Sequence, residues 1–393
     1  MNRPGVAANT DSTKLRMLST STNGKWVDLL KEKSNDSGQP FAGELDRMLT
    51  DILLSQNLIV LCGLGTSLCL ANGDKKLAPT MGDLWNEAKQ IAGDNLEAIK
   101  KKVKYSSEEG ENIEILLSKC LLLLDLEEDK MVKSFVSSTQ KKIVERCRFV
   151  KQETELRIHE TFIRKVARRS ARKPRMQLFT TNYDLCFEMA ASHTRFIVVD
   201  GFSHTHPQEF DGTNFGYDFV RRDLGRDTPD YLSNVFHLYK IHGSVDWGRQ
   251  GNQIIRDSMT LEPLLIFPQR GKYESSYEQP FIEMMARFQI ALRQENTGLL
   301  VIGFGFNDNH ITQPILSAIR SNVSLRMAVV DPEAEKEDKD AYKEITSLIS
   351  AGDSRLALLS TGFELLVNLI PDLVAKTEEE RHFERTRNNG GRK

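Results

Sequence analysis

Short, continuous apolar runs punctuate the chain, and most of them end in glycine or a polar residue. The first, over residues 58–62, is followed at once by Gly63. Similar runs recur at 176–180, 196–199, 236–241, 264–267, 299–302 and 327–330, with a further one at 356–359. Runs of this length that are apolar throughout fit strands buried on both faces of a parallel sheet. Helical periodicities lie between several of them. The clearest spans 281–294, where Phe281, Met284, Met285, Phe288 and Leu292 form one stripe. Others are expected over 41–54, 185–191 and 311–319. Buried strands alternating with helices predict an α/β domain with a mostly parallel sheet.

One stretch breaks the alternation. Residues 81–172 carry only helical patterns with charges interleaved, including three long candidates at 112–117, 131–149 and 153–169, and read as a helical insertion between the first two core strands. Residues 1–40, rich in Ser, Thr, Asn and Gly, read as a flexible arm with one short helix near 26–33. The domain proper is expected over 41–375, and the polar tail 376–393 as disordered.

Composition narrows the function classes. With 53 basic against 55 acidic residues the net charge is -2, which argues against a protein that coats nucleic acid. The basic run Arg164, Lys165, Arg168, Arg169, Arg172, Lys173 and Arg175 reads as a solvated helix face, so nucleic acid is expected only indirectly. No apolar stretch reaches the ~18 residues of a membrane span, and no secretory h-region is visible. Five cysteines without a C-x-x-C pair point to reduced thiols in a cytoplasm and exclude a cysteine-built zinc module.

Four strand ends carry candidate chemistry. Gly63-Leu64-Gly65-Thr66-Ser67 has glycines that would let a pyrophosphate approach the backbone, with two hydroxyl donors beside them. Taken alone, a turn that binds nothing explains it equally well. Thr181-Asn182-Tyr183-Asp184 offers an amide that can orient a ribose and a water, or else a cap for the next helix. In Lys240-Ile241-His242-Gly243-Ser244 an imidazole stands where a general base is wanted. Gly303-Phe304-Gly305-Phe306-Asn307-Asp308 is a second glycine loop. Asp200 is a weaker ribose candidate. His204 and His206 lack partners for a metal site, and His159, His193 and His237 read as packing residues. Convergence of four strand ends on one crevice is the main argument for a nucleotide site.

The order of these motifs resembles the sirtuin-like NAD-binding fold over roughly 58–332. It is most similar to the sirtuin-like NADases of bacterial antiphage defence, in the subgroup paired with a HerA-like hexameric ATPase. The segments 179–184, 214–215, 238–247 and 302–306 carry that likeness. The resemblance implies a Rossmann-like sheet and cleavage of NAD as substrate, with Asn182 and His242 catalytic. It implies cofactor contacts at Gly63, Gly65, Thr66, Ser67, Asp184, Gly303 and Gly305. It also implies a homo-oligomer that docks on the ATPase ring. Deacylating sirtuins carry Gln where Thr181 stands and hold zinc in two C-x-x-C pairs, so the expectation here is hydrolysis without metal. A deacylase or ADP-ribosyltransferase, and a non-catalytic NAD-binding assembly subunit, are the alternatives.

Overall fold

The computed structural model describes residues 14–31, 40–73, 75–170, 172–222, 225, 229–267, 278–336, 339–374, 381–382 and 385–386. The first 13 residues and almost all of the tail therefore lie outside the described residues.

Fifteen strands are present among them. They are β1 (Arg16–Leu18), β2 (Val27–Asp28), β3 (Asn57–Cys62), β4 (Ala71–Asn72), β5 (Lys75–Lys76), β6 (Gln177–Thr180), β7 (Ile197–Val199), β8 (Val220–Arg221) and β9 (Asp230–Tyr231). Then follow β10 (Val235–Lys240), β11 (Trp247–Gln250), β12 (Gln253–Arg256), β13 (Thr297–Ile302), β14 (Arg326–Val330) and β15 (Leu356–Ser360). Nine form one sheet in the order β2-β1-β15-β14-β13-β3-β6-β10-β7, and the other six pair as three small hairpins. All neighbours from β15 to β7 run parallel.

Helices cover both faces, which is why most of these strands read as largely apolar runs. On one face Met284 and Phe288, Ile311 and Ile315, and Tyr342 and Ile345 pack against Ile59, Leu61, Leu299 and Val329. On the other, Phe41, Leu49, Phe162, Phe187 and Phe363 pack against Val60, Leu178, Leu300 and Val330. The core is thus a Rossmann-like three-layer α/β fold. The order β10-β6-β3-β13-β14-β15 has the doubly wound pattern, in which the chain first builds away from β3 on one side and then returns to build from β13 on the other. The switch point lies between β3 and β13.

Three expectations change. The run at 264–267 is not a sheet strand: Ile266 N–H donates to the His242 carbonyl, and Gly243 bridges Leu265, so the segment straps the loop after β10. Residues 14–31 are not a loose arm with a helix. Arg16–Leu18 pairs antiparallel with β15, and buried Met17, Leu18 and Val27 tie β1 and β2 to the core. The insertion also divides. Helices Met81–Ala92, Leu96–Lys102, Ile113–Leu126 and Lys130–Cys147 build their own apolar core, whereas Arg157–Val166 packs on the sheet through Phe162 and Ile163.

No helix among the described residues is long and apolar enough to cross a membrane. Much of the basic run is turned into the fold, with Arg172 exposed and Arg175 paired with Asp218. Arg169 and Lys173 donate to the carbonyls of Leu54, Ser55 and Gln56 after the Phe41–Leu53 helix, and Lys165 donates to those of Val367 and Ile370. Cations at helix C-termini complement the dipole there.

Candidate active site

Because the strands are parallel, Gly63, Thr181, His242, Gly303, Asp331 and Thr361 all emerge at one edge of the sheet. A cavity of about 510 Å³ opens there, at the switch point. That volume lies within the range of small-molecule sites. Its wall includes Asn182, His242, Asp184, Gly65, Gly303 and Gly305, so six of the nine sequence candidates share it.

The other three candidates, Gly63, Thr66 and Ser67, stand behind the wall. Thr66 and Ser67 are fully buried. Thr66 Oγ1 donates to the Gly63 carbonyl at 2.8 Å, and Ser67 Oγ donates to Asp184 Oδ2 at 2.7 Å. The amides of Gly63, Gly65, Thr66 and Ser67 are likewise spent within the fold. The glycines serve loop contact first: a Cβ on Gly65 would lie 2.6 Å from the Gly303 Cα, and one on Gly63 2.5 Å from the Gly303 carbonyl oxygen. The switch point is therefore sealed by two glycine loops touching backbone to backbone. Among the described residues the amides of Phe304 and Gly305 carry no such internal bond, and Gly303, Gly305 and Phe306 are left-handed. Alternating backbone handedness of this kind builds anion-binding concavities.

Asn182 and Asp184 divide the two roles that the sequence leaves open for their segment. Asp184 Oδ1 accepts from the Cys186 amide at 3.0 Å and so turns the chain into the Cys186–Thr194 helix. Asn182 does not cap. Its Nδ2 donates to the Gly63 carbonyl, Thr66 Oγ1 and Ser67 Oγ at 3.0, 3.2 and 2.9 Å. That anchoring fixes the amide plane and leaves Oδ1 as its acceptor. The Asp184 carboxylate holds the Ser67 hydroxyl and the Cys186 amide while itself standing in the cavity wall.

Lys240 supports this loop from beneath. It is 2% exposed, donates to the carbonyls of Tyr183 and Asp184, and pairs with Glu188 at 2.9 Å. Burial pushes the Glu188 carboxyl up, with the Lys240 ammonium pulling it the other way.

The helical insertion reaches the same cavity through Met81, Leu84, Glu114 and Cys147. Tyr183 packs against the insertion's core, and Arg148 donates to the Val245 carbonyl at 2.8 Å. The helices thus lie over the crevice as a lid. Cys69 and Cys147 also line the cavity, but burial pushes both thiols up, that of Cys147 to about 12. Neither is a thiolate nucleophile at neutral pH.

Two lining residues, Asp331 and Glu114, and one that touches the wall from behind, His310, escape sequence reading. Asp331 ends β14 beside the Gly303 loop, 7% exposed, and accepts from the Tyr342 hydroxyl at 2.8 Å. It holds the position of a ribose-binding acid, whereas Asp200 is bound by Arg256. The signal was the apolar run 327–330 closing on an acid, the feature that drew notice to Asp200. Glu114 arrives from the insertion, with no local signal. His310 meets His242, Nε2 to Nε2, at 3.1 Å.

Residues 177–348 match the model of the SIR2-like domain. The match runs from β6 to the helix before β15, taking in Asn182, His242 and the Gly303 loop. It supports a sirtuin-like family and, with it, an enzyme class that uses NAD. No curated protein matches the chain.

Proposed function

We propose that this protein is an NAD+ glycohydrolase that cleaves NAD+ to nicotinamide and ADP-ribose. The observation that carries the reading is the convergence of anchored Asn182 and buried His242 on one cavity at the switch point. NAD enters as substrate. The amides of Phe304 and Gly305 suit the pyrophosphate, and Asp331 suits a ribose hydroxyl pair. The N-glycosidic bond breaks with its electron pair passing to the pyridinium ring, so nicotinamide leaves neutral. Asn182 Oδ1 orients the ribose and the incoming water as the sugar takes on oxocarbenium character. His242 accepts a ribose hydroxyl proton or its hydrogen bond, and water adds at the anomeric carbon with loss of one proton.

A lid of helices over the crevice favours a hydrolase over an acyl-lysine cleft. A cytoplasmic role in antiphage defence by NAD depletion, as a homo-oligomer on a HerA-like ATPase, extends the same reading. Leu122 and Leu126, 62% and 86% exposed on the insertion, offer apolar surface for such assembly. Purified protein should release nicotinamide and ADP-ribose from NAD+ in a chromatographic assay, alone or with a HerA-like ATPase. Intact NAD+ under both conditions defeats the hydrolase reading.

A further inference from the structure

His242 and Asp308 of the cavity wall form with His310 a grouping that hydrolysis does not require. His242 Nε2 and His310 Nε2 are 3.1 Å apart, and one ring nitrogen of each histidine lies with a carboxylate oxygen of Asp308 so that these three donors are all within 4.8 Å of one another. Asp308 is the N-cap residue of the Asn309–Ser321 helix, and His310 sits in its first turn.

Two imidazole nitrogens this close are joined either by one shared proton or by a metal ion between them. Metal–nitrogen bonds of about 2.0–2.1 Å to both would meet at roughly 100°, near a tetrahedral angle. The surroundings favour a cation. The cavity wall carries Glu114, Asp184, Asp308, Asp331, Glu333 and Glu364 against Lys76, and a cleft lined by one sign of charge concentrates counter-ions. Two imidazoles and one carboxylate suit zinc and other late first-row divalent ions.

We propose that His242, Asp308 and His310 form a divalent transition-metal site whose occupation blocks the active site. A metal on His242 Nε2 takes the lone pair that would receive the ribose proton, so zinc acts as an inhibitor and not as a cofactor. The inhibitory half rests on the hydrolase reading; the metal site itself does not.

Metal-depleted full-length protein is titrated with Zn2+ against a chromophoric chelator, and with Co2+ while its visible spectrum is followed. One ion per chain is expected. His310→Ala and Asp308→Asn should each weaken binding at least about tenfold, and Asp308→Asn keeps the shape of the helix start should His310→Ala fail to fold. In parallel, Zn2+ should suppress nicotinamide release and a chelator should restore it. Each variant, measured against its own zinc-free rate, should need correspondingly more zinc. Equal zinc affinity in all three proteins overturns the site. Zinc bound as expected with nicotinamide release unaltered overturns the inhibitory role. A chain that releases no nicotinamide defeats the hydrolase reading, and the binding comparison then decides the metal site by itself.

Discussion

Asn182 and Ser67 join the loops that follow β6 and β3: Asn182 Nδ2 donates to Ser67 Oγ at 2.9 Å, and the same hydroxyl donates onward to Asp184. One chain of hydrogen bonds therefore fixes the β6 loop against the β3 loop and aims the Asn182 carbonyl. Fully satisfied polar networks of this kind rigidify a site.

The first prediction follows from that chain. Asn182→Ala should abolish NAD+ turnover with the fold intact, because the side chain anchors loops rather than filling core. Asn182→Asp should fail as well, since a carboxylate cannot donate to the Gly63 carbonyl. Ser67→Ala should slow turnover about tenfold, roughly 1.4 kcal/mol of barrier, and His242→Ala by more. Parent-rate NAD+ loss in Asn182→Ala, followed by chromatography, would reject the assignment. A loss below tenfold in His242→Ala would reduce that residue to a binding role.

A second prediction concerns Gly243, which holds φ +88° beneath the strap at 264–267. A Cβ there would lie 2.1 Å from the Leu264 carbonyl oxygen. Gly243→Ala combines left-handed strain, about 1–2 kcal/mol, with a clash against backbone that cannot swing away. It should lower the melting temperature and remove activity together, because the strap also bonds the His242 carbonyl. An alanine variant with the parent melting curve would show that the strap is not fixed.

How far the sequence was legible depends on the distance over which each feature is encoded. The core strands were readable because both faces of a parallel sheet are covered, so β3, β13 and β14 stand out as apolar runs, and β6 as a shorter one with Leu178 and Phe179 at its centre. Their shared C-terminal edge follows from parallel pairing, which is why Asn182, His242, Gly303 and Gly305 were found together. The strap at 264–267 carries the same apolar signal as a strand, and only tertiary pairing with Gly243 tells them apart. Thr66 and Ser67 look like ligand donors in sequence because a hydroxyl's partner is invisible there. The His242–His310 contact spans 68 residues and two elements, with no spacing rule to announce it. β1 and β2 are too short to show a period, so nothing in 14–31 announces their pairing with β15 and with each other.

Lys240 supplies a third prediction. Its ammonium is buried against Glu188 and two carbonyls of the Asn182 loop. Removing one partner of a buried pair leaves the other charged and unpaired, at a cost of about 3–5 kcal/mol. Lys240→Met should therefore destabilise strongly in denaturant titration, and adding Glu188→Gln should recover part of the loss. If the double variant is no more stable than the single one, the pair is not the source of the cost.

The last prediction concerns acid stability. His159 is fully buried between the Phe187 and Phe363 rings, and burial lowers its imidazole to about 4 from the ordinary 6.5. The folded state therefore refuses a proton that the unfolded state accepts throughout the window from pH 6.5 to 4. Stability is full above pH 6.5 and falls as the pH drops through that window, because there the unfolded chain binds more protons. The complete effect is about 3 kcal/mol, with about 1 kcal/mol already lost between pH 7 and 5.5. His159→Phe keeps a ring in the slot and has nothing to titrate. Denaturant midpoints at pH 7 and 5.5 should shift relative to each other by that amount in the variant's favour. Parallel pH dependence in the two proteins would mean that His159 takes up its proton in the folded state as readily as in the unfolded one.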